Sequence, residues 1–162
     1  MVPTMDAPAK IRSATPTDAA ALHALFPRLA AFDVPASRNP EDLWRGDEKL
    51  LRAWLAGDAP QCFVQVAELS SGTLAGFTLV SLRPELLSGA PSAHLEAIAV
   101  SKEAEGRGVA RALIDAAERE ALARGARSMT LHVFAANARA RALYARTGYT
   151  EELIRCTKPL GS

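Results

Sequence analysis

Glu105-Gly106-Arg107-Gly108-Val109-Ala110 stands between an apolar run, Leu95-Glu96-Ala97-Ile98-Ala99-Val100, and a helix-patterned run over residues 110–124. Paired glycines let the backbone turn tightly and approach a ligand closely. A helix beginning straight after such a turn aims its unpaired N–H groups and the positive end of its dipole at whatever sits there. Strand, glycine turn and helix in this order predict an anion site suited to a phosphate, with a plain tight connection as the alternative.

The elements on either side support a sheet protein around that turn. Val109, Leu113, Ala117 and Ala121 recur every fourth residue, while Arg111, Asp115, Glu118, Arg119 and Arg124 take the other side and Gly125 supplies a stop. Residues 129–134 read as a strand. Asn137 then offers an N-cap to a helix whose Ala140, Arg141 and Tyr144 share one face, closed by Gly148. Upstream, residues 62–69 and 74–82 are β-rich runs joined by Ser70-Ser71-Gly72-Thr73, and residues 93–100 make a third strand. Ahead of these come a short strand at 11–14, a helix over 19–29 disturbed by Pro27, and a helical region over 40–55 that Gly46-Asp47 divides. A last strand is expected within 149–158. The pattern predicts a mixed α/β sheet, an antiparallel β meander followed by β-α-β-α-β, in a single domain spanning 1–162 with a mobile start over 1–10.

Composition narrows the class. With 162 residues, 49% of them hydrophobic and 23% charged, the chain can bury a core without metal or disulfide support. A net charge of +1 leaves no global field to recruit nucleic acid or an anionic membrane. Cys62 and Cys156 are far apart, outside any metal or redox spacing, and are expected to be small buried groups. No leader or membrane-spanning stretch is legible, so a cytoplasmic protein is expected.

The turn and the cassette after it resemble the GNAT superfamily of acyl-coenzyme A-dependent N-acyltransferases. The family's phosphate loop, Gln/Arg-x-x-Gly-x-Gly/Ala, is met in order by Glu105, Gly106, Arg107, Gly108, Val109 and Ala110, except that Glu105 departs at the first place. Its later signature, an Asn followed by Tyr, Gly and an aromatic, is met by Asn137, Tyr144, Gly148 and Tyr149. The resemblance is sharp over 93–149. It implies acetyl-coenzyme A as co-substrate, with no metal, and transfer of its acetyl group to a primary amine of a small molecule or peptide by direct attack in a ternary complex.

The resemblance also assigns roles. Main-chain N–H groups of Arg107, Gly108, Ala110 and Arg111 would hold the pyrophosphate, and the arginine side chains would add charge. Glu105 at the mouth of the cradle would repel the ligand unless a cation neutralises it. The strand before the turn splays from its neighbour at a bulge and places Ile98, Ala99 and Val100 along the pantetheine arm. Asn137 would contact the coenzyme, or serve only as a cap. Tyr144 would protonate the leaving thiolate, or merely pack.

By the two-residue period, His94, Glu96, Ile98 and Val100 project to one side of that strand and Leu95, Ala97 and Ala99 to the other. Ionisable groups beside an apolar run make Glu96 and His94 joint candidates for the general base, and an ordinary imidazole suits that work at neutral pH. A polar pair on a solvent-facing sheet is the rival account. Trp44, Trp54 and Phe32 are candidates for an apolar lid over the acceptor, or for core. Two other classes stay open: a non-catalytic acyl-coenzyme A sensor, suggested by Glu105, and a nucleotide-binding module, suggested by Gly-x-Gly alone. A homodimer through the last strand, carrying Leu153, Ile154 and Cys156, is a further expectation.

Overall fold

The computed structural model describes residues 8–161. Most of the expected mobile start lies outside them, and Lys10 already belongs to a strand. The chain runs through β1 (Lys10–Ser13), α1 (Ala19–Leu25), α2 (Arg45–Leu55), β2 (Cys62–Glu68), β3 (Leu74–Pro84), β4 (Pro91–Val100), α3 (Val109–Ala123), β5 (Met129–Leu131) and α4 (Ala138–Arg146). One sheet is ordered β1-β2-β3-β4-β5. Its first four strands are antiparallel neighbours, and β5 lies parallel to β4 because α3 carries the chain back across the sheet. Pro27 ends α1 as expected, and the chain continues as a 3-10 turn over Phe26–Ala30. The 40–55 region divides at Trp44 into a 3-10 turn, Pro40–Leu43, and α2, and not at Gly46-Asp47, which lie inside α2.

Apolar side chains fill both faces of the sheet. Leu22, Phe26 and Leu51 pack on Val64, Val66, Phe77, Leu79, Ala97 and Ala99 on one face. On the other, Ile114, Ala117, Ala121 and Tyr144 meet Val80, Ala93 and Leu95, while Val109 and Leu113 meet Ala67 and Ala75. At the margin, Arg12 joins Asp18 (2.8 Å) to Glu68, and its guanidinium holds the Asp18 carboxyl down at about 2.

A bulge in β4 corrects the facing of that strand. Leu79 pairs with Ala97 but Val80 pairs with Leu95, so Glu96 is the extra residue. An inserted residue changes the phase of the alternation. Ala93 and Leu95 therefore face α3, Ala97 and Ala99 face α1 and α2, and Ile98 and Val100 turn to the α3 side. The expectation that Ile98 and Val100 share a side with His94 and Glu96 fails for this reason.

Three further expectations are overturned. β5 ends at Leu131 rather than at 134, and no strand forms within 149–158, where every residue from 150 to 161 is exposed. An edge as short as β5 provides too few ladder bonds to offset the entropy of ordering a further strand. Cys62 is buried as expected, but Cys156 rides on this segment and is exposed.

Candidate active site

The sheet forks between β4 and β5. Their pairing runs through Ala93↔Met129, His94↔Thr130 and Leu95↔Leu131 and then stops, while β4 continues to Val100 paired with β3 alone. Met129, Leu131 and Val133 pack into the α3-side core, so Thr130, His132 and Phe134 face the opposite way. His94 shares that second face: its Nδ1 is 2.7 Å from Thr130 Oγ1, and the His132 ring stands edge-on to it at 4.7 Å. Phe32, beyond the end of the 3-10 turn, meets Phe134 at 5.5 Å between ring centres. Trp44 packs on Phe26, and Trp54 lies against the α1–α2 core. Trp44 and Trp54 thus take the core alternative, and only Phe32 stands apart from that core.

Glu96, at the bulge, lies just past the last ladder pair. Ser81 Oγ donates to its carboxylate, and Arg83 Nη1 stands 3.7 Å away. The side chain keeps 17% exposure, enough to meet a solute. Asp47 lies three and four residues before Leu50 and Leu51, so it shares the inward face of α2. Burial first, and then the charge of Glu96, push Asp47 up to about 7. His94 is only 4% exposed. Burial, and then the Arg83 charge, push it down to about 4, with Glu96 acting the other way. His94 is therefore neutral at pH 7 and enclosed.

At the far end of β4 the glycine turn takes the expected form. Gly106 has φ 75° and Gly108 has φ 77°, both left-handed values that a side chain disfavours, and open space lies where a Cβ would be. Gly108 is also the N-cap of α3, and no side chain caps that end. The first helical bond runs from Ala112 N to Gly108 O (3.1 Å), which leaves the N–H groups of Val109, Ala110 and Arg111 without an intrahelical acceptor. Arg111 is exposed beside them. Glu105 is neutralised. It pairs with Arg139 at 3.0 Å and with Arg28, whose Nε also donates to Val100 O at 3.1 Å. The Arg139 guanidinium foremost, with Arg28 beside it, holds the Glu105 carboxyl below the usual range.

The opening of α4 is as expected, with Asn137 Oδ1 accepting from Ala140 N at 3.2 Å. Tyr144 is buried on the α3 side, its ring edge-on to Tyr149 at 5.9 Å, and the Tyr149 hydroxyl donates to Glu118 at 3.0 Å. Burial alone pushes the Tyr144 phenol up to about 12. Two surface concavities lie elsewhere, one of about 320 Å³ against Trp54 and Arg124 and one of about 260 Å³ against Leu82 and Gly125.

This combination of forked sheet, left-handed glycine turn and capped fourth helix has a counterpart in known proteins. The acetyltransferase (GNAT) family pattern matches residues 24–149. The chain belongs to the GNAT acetyltransferase family. Solved GNAT structures share its fold at low identity. Ribosomal-protein-alanine N-acetyltransferase from Brucella melitensis biovar Abortus 2308 aligns with TM-score 0.68 and 22% identity over 94% of this chain and 99% of that one. The aminoglycoside N-acetyltransferase AAC(6')-Iy, solved in complex with CoA, aligns with TM-score 0.71 and 22% identity over 99% of this chain and 100% of that one. The aminoglycoside 6'-N-acetyltransferase AAC(6')-Ih from Acinetobacter baumannii gives TM-score 0.67 and 17% identity over 94% of this chain and 99% of that one. None of the curated proteins compared with the chain matches it.

Within this GNAT fold the sequence-predicted residues fall into three places. Glu96 stands at the fork with Ile98, Ala99 and Val100 after it on β4, residues 105–108 form the turn and 109–111 open α3, and Asn137 caps the helix that carries Tyr144, while His94 is enclosed between strands. Sequence reasoning missed His132, Phe134, Arg28 and Arg139. The period of two would have aligned Thr130, His132 and Phe134, but only the parallel pairing sets Thr130 and His132 beside His94. Arg28 reaches Glu105 across 77 residues, a separation at which no local pattern signals contact.

Proposed function

We propose that this protein is an acetyl-coenzyme A-dependent N-acetyltransferase that moves an acetyl group to a primary amine of a small molecule or peptide by direct attack in a ternary complex. The observation that carries this reading is the fork at Leu95↔Leu131, with a carboxylate at its vertex and an uncapped, glycine-opened helix start at the end of the same strand. The local geometry fits the donor: open space at Gly106 and Gly108 admits a phosphate against the N–H groups of Val109, Ala110 and Arg111. Arg107 and Arg111 add charge, and Ile98, Ala99 and Val100 offer backbone along the unpaired edge of β4.

The acceptor approaches the face that carries Glu96, and an amine must lose a proton before it attacks. Glu96, accessible and hydrogen-bonded to Ser81, is the proposed base; enclosed His94 shapes its surroundings. Tyr144 stays protonated across neutral pH and donates a hydrogen bond to the departing sulfur. A phenol that burial holds above its ordinary range is a weak acid toward a thiolate, so a hydrogen bond is the contribution proposed for it. Asn137 orients the start of α4 beside the coenzyme. A homodimer through residues 150–161 is proposed with it, because Leu153 and Ile154 there are 65% and 91% exposed.

The test is release of free thiol from acetyl-coenzyme A in the presence of spermidine, kanamycin, lysine and an alanine-initiated peptide. Turnover with any of them supports the reading. Tight coenzyme binding with no thiol release across the panel replaces it with the sensor reading, which the acidic Glu105 favours.

A further inference from the structure

Glu105, the residue at which the chain departs from the GNAT loop pattern, carries a carboxylate held as a bound anion would be, with one guanidinium on each oxygen. Oε1 takes Arg28, and Oε2 takes Arg139 at 3.0 Å. The three residues come from separate elements: the 3-10 turn after α1, the loop ahead of α3 and the first turn of α4. β4 and β5 part after Leu95↔Leu131, and α3 follows one arm of the fork and α4 the other. The Glu105–Arg139 pair therefore joins the arms beyond their open ends. A donor with its phosphates at Val109, Ala110 and Arg111 and its thioester at the fork lies between the same arms. From the geometry we infer that Glu105 is a resident anion of the donor site: a phosphate of the coenzyme displaces its carboxylate and takes over Arg28 and Arg139. This rests on the acetyltransferase reading for the identity of the donor, and adds to it two cations from outside the glycine turn.

The exchange is favourable on charge. Ion pairs open to solvent hold weakly, and Arg139 keeps 69% of its side chain exposed. A phosphate brings more negative charge than a carboxylate and gains the N–H groups of α3 as well. Both cations are already placed for it. Arg28 Nε donates to Val100 O at 3.1 Å, which keeps the guanidinium at the end of β4 when the carboxylate leaves. Arg139 follows Asn137 by two residues, and Asn137 fixes the start of α4 by accepting from Ala140 N at 3.2 Å. A thioester without phosphates has nothing with which to displace Glu105, so the arrangement selects a phosphorylated donor.

Two measurements on the full chain test the inference, and neither needs turnover. The first is carbon-13 NMR titration of the Glu105 carboxyl without and with saturating acetyl-coenzyme A. Arg139 first, and then Arg28, hold this carboxyl below the usual range in the free protein. Its midpoint is expected to rise by about half a unit or more once a phosphate has taken both. A midpoint unmoved by bound coenzyme overturns the exchange. The second is calorimetric titration of acetyl-coenzyme A into the parent, Arg139→Gln, Glu105→Gln and the double variant. With the carboxylate gone, Arg139 serves the donor alone. Arg139→Gln is therefore expected to weaken binding about 5- to 10-fold in the Glu105→Gln background and less than about 2-fold in the parent. Equal effects in the two backgrounds overturn it. Repeating the cycle with acetyl-dephospho-coenzyme A, which lacks the ribose phosphate, tells the two sources apart: a difference that survives assigns Arg139 to the diphosphate, and one that vanishes assigns it to the ribose phosphate. If acetyl-coenzyme A binds none of the four proteins, the donor reading falls and the inference with it. Binding without thiol release removes the enzyme reading alone, and the cycle still decides the exchange.

Discussion

Arg139 Nη1 lies 3.0 Å from Glu105 Oε2, tying the first turn of α4 to the turn ahead of α3. Arg28 reaches the same carboxylate from the segment after α1, so one acidic residue holds two guanidiniums at the rim of the glycine turn. Glu105→Gln is expected to free both cations for the coenzyme and to lower its dissociation constant about 3- to 10-fold at low salt. The gain should shrink as salt is raised. Calorimetric titration with acetyl-coenzyme A at two ionic strengths checks this; weaker binding in the variant would mean that Glu105 shapes the loop instead.

Tyr144→Phe removes a hydroxyl that has no hydrogen bond among the described residues, so stability should hold. Thiol release is expected to drop by about 10²-fold while acetyl-coenzyme A binds as before. Equal turnover in variant and parent would remove Tyr144 from the chemistry and leave it as core.

Stability should respond to pH through two groups of opposite sign. His94 falls from 6.5 to about 4 on folding, so between those values the unfolded chain binds more protons and stability rises with pH. Asp47 rises from 3.8 to about 7, so its contribution is present at low pH and is lost as pH climbs through that window. Melting temperatures between about pH 4.5 and pH 6.5 should therefore slope more steeply downward with rising pH in His94→Gln and more steeply upward in Asp47→Asn than in the parent. Parallel curves for all three proteins would refute the opposed pair.

Gly76 sits where β3, β4 and α3 lie close together. A Cβ there would sit 2.6 Å from Ala99 O, 3.3 Å from Val100 Cα and 3.1 Å from Leu113 Cδ1, two of them backbone atoms of the strand proposed to carry the pantetheine arm. Gly76→Ala should cost about 1–3 kcal/mol, lowering the melting point by roughly 2–4 °C per kcal/mol, and should weaken coenzyme binding as β4 is displaced. Calorimetric melting with and without acetyl-coenzyme A reads both effects.

Residues 150–161 carry the dimer proposal. Ile154→Asp should convert a dimer to a monomer in light scattering without unfolding it, because Ile154 is 91% exposed in the single chain. A parent that is already monomeric at high concentration would dispose of the proposal.

Much of the fold could be read from local chemistry. Gly106 and Gly108 had to adopt positive φ, Asn137 had to cap, Pro27 had to end a helix, and Val109, Leu113, Ala117 and Ala121 had to face a core, because each depends on a residue's own backbone preference or on a period of a few residues. The site was less legible. The bulge at Glu96 has no local signature, yet it turns Ile98 and Val100 to the far face, and the contacts of Glu105 with Arg28 and of Phe32 with Phe134 join segments distant in sequence.

The amino-acid sequence by itself determined that a strand, a glycine turn and a helix would present free N–H groups, since those properties belong to residues and their immediate neighbours. Which ionisable groups would be enclosed and which would reach the fork was decided only in three dimensions. Burial sets the charge state of His94, and Arg28 and Arg139 neutralise Glu105 from segments distant in sequence; both arise from packing between elements.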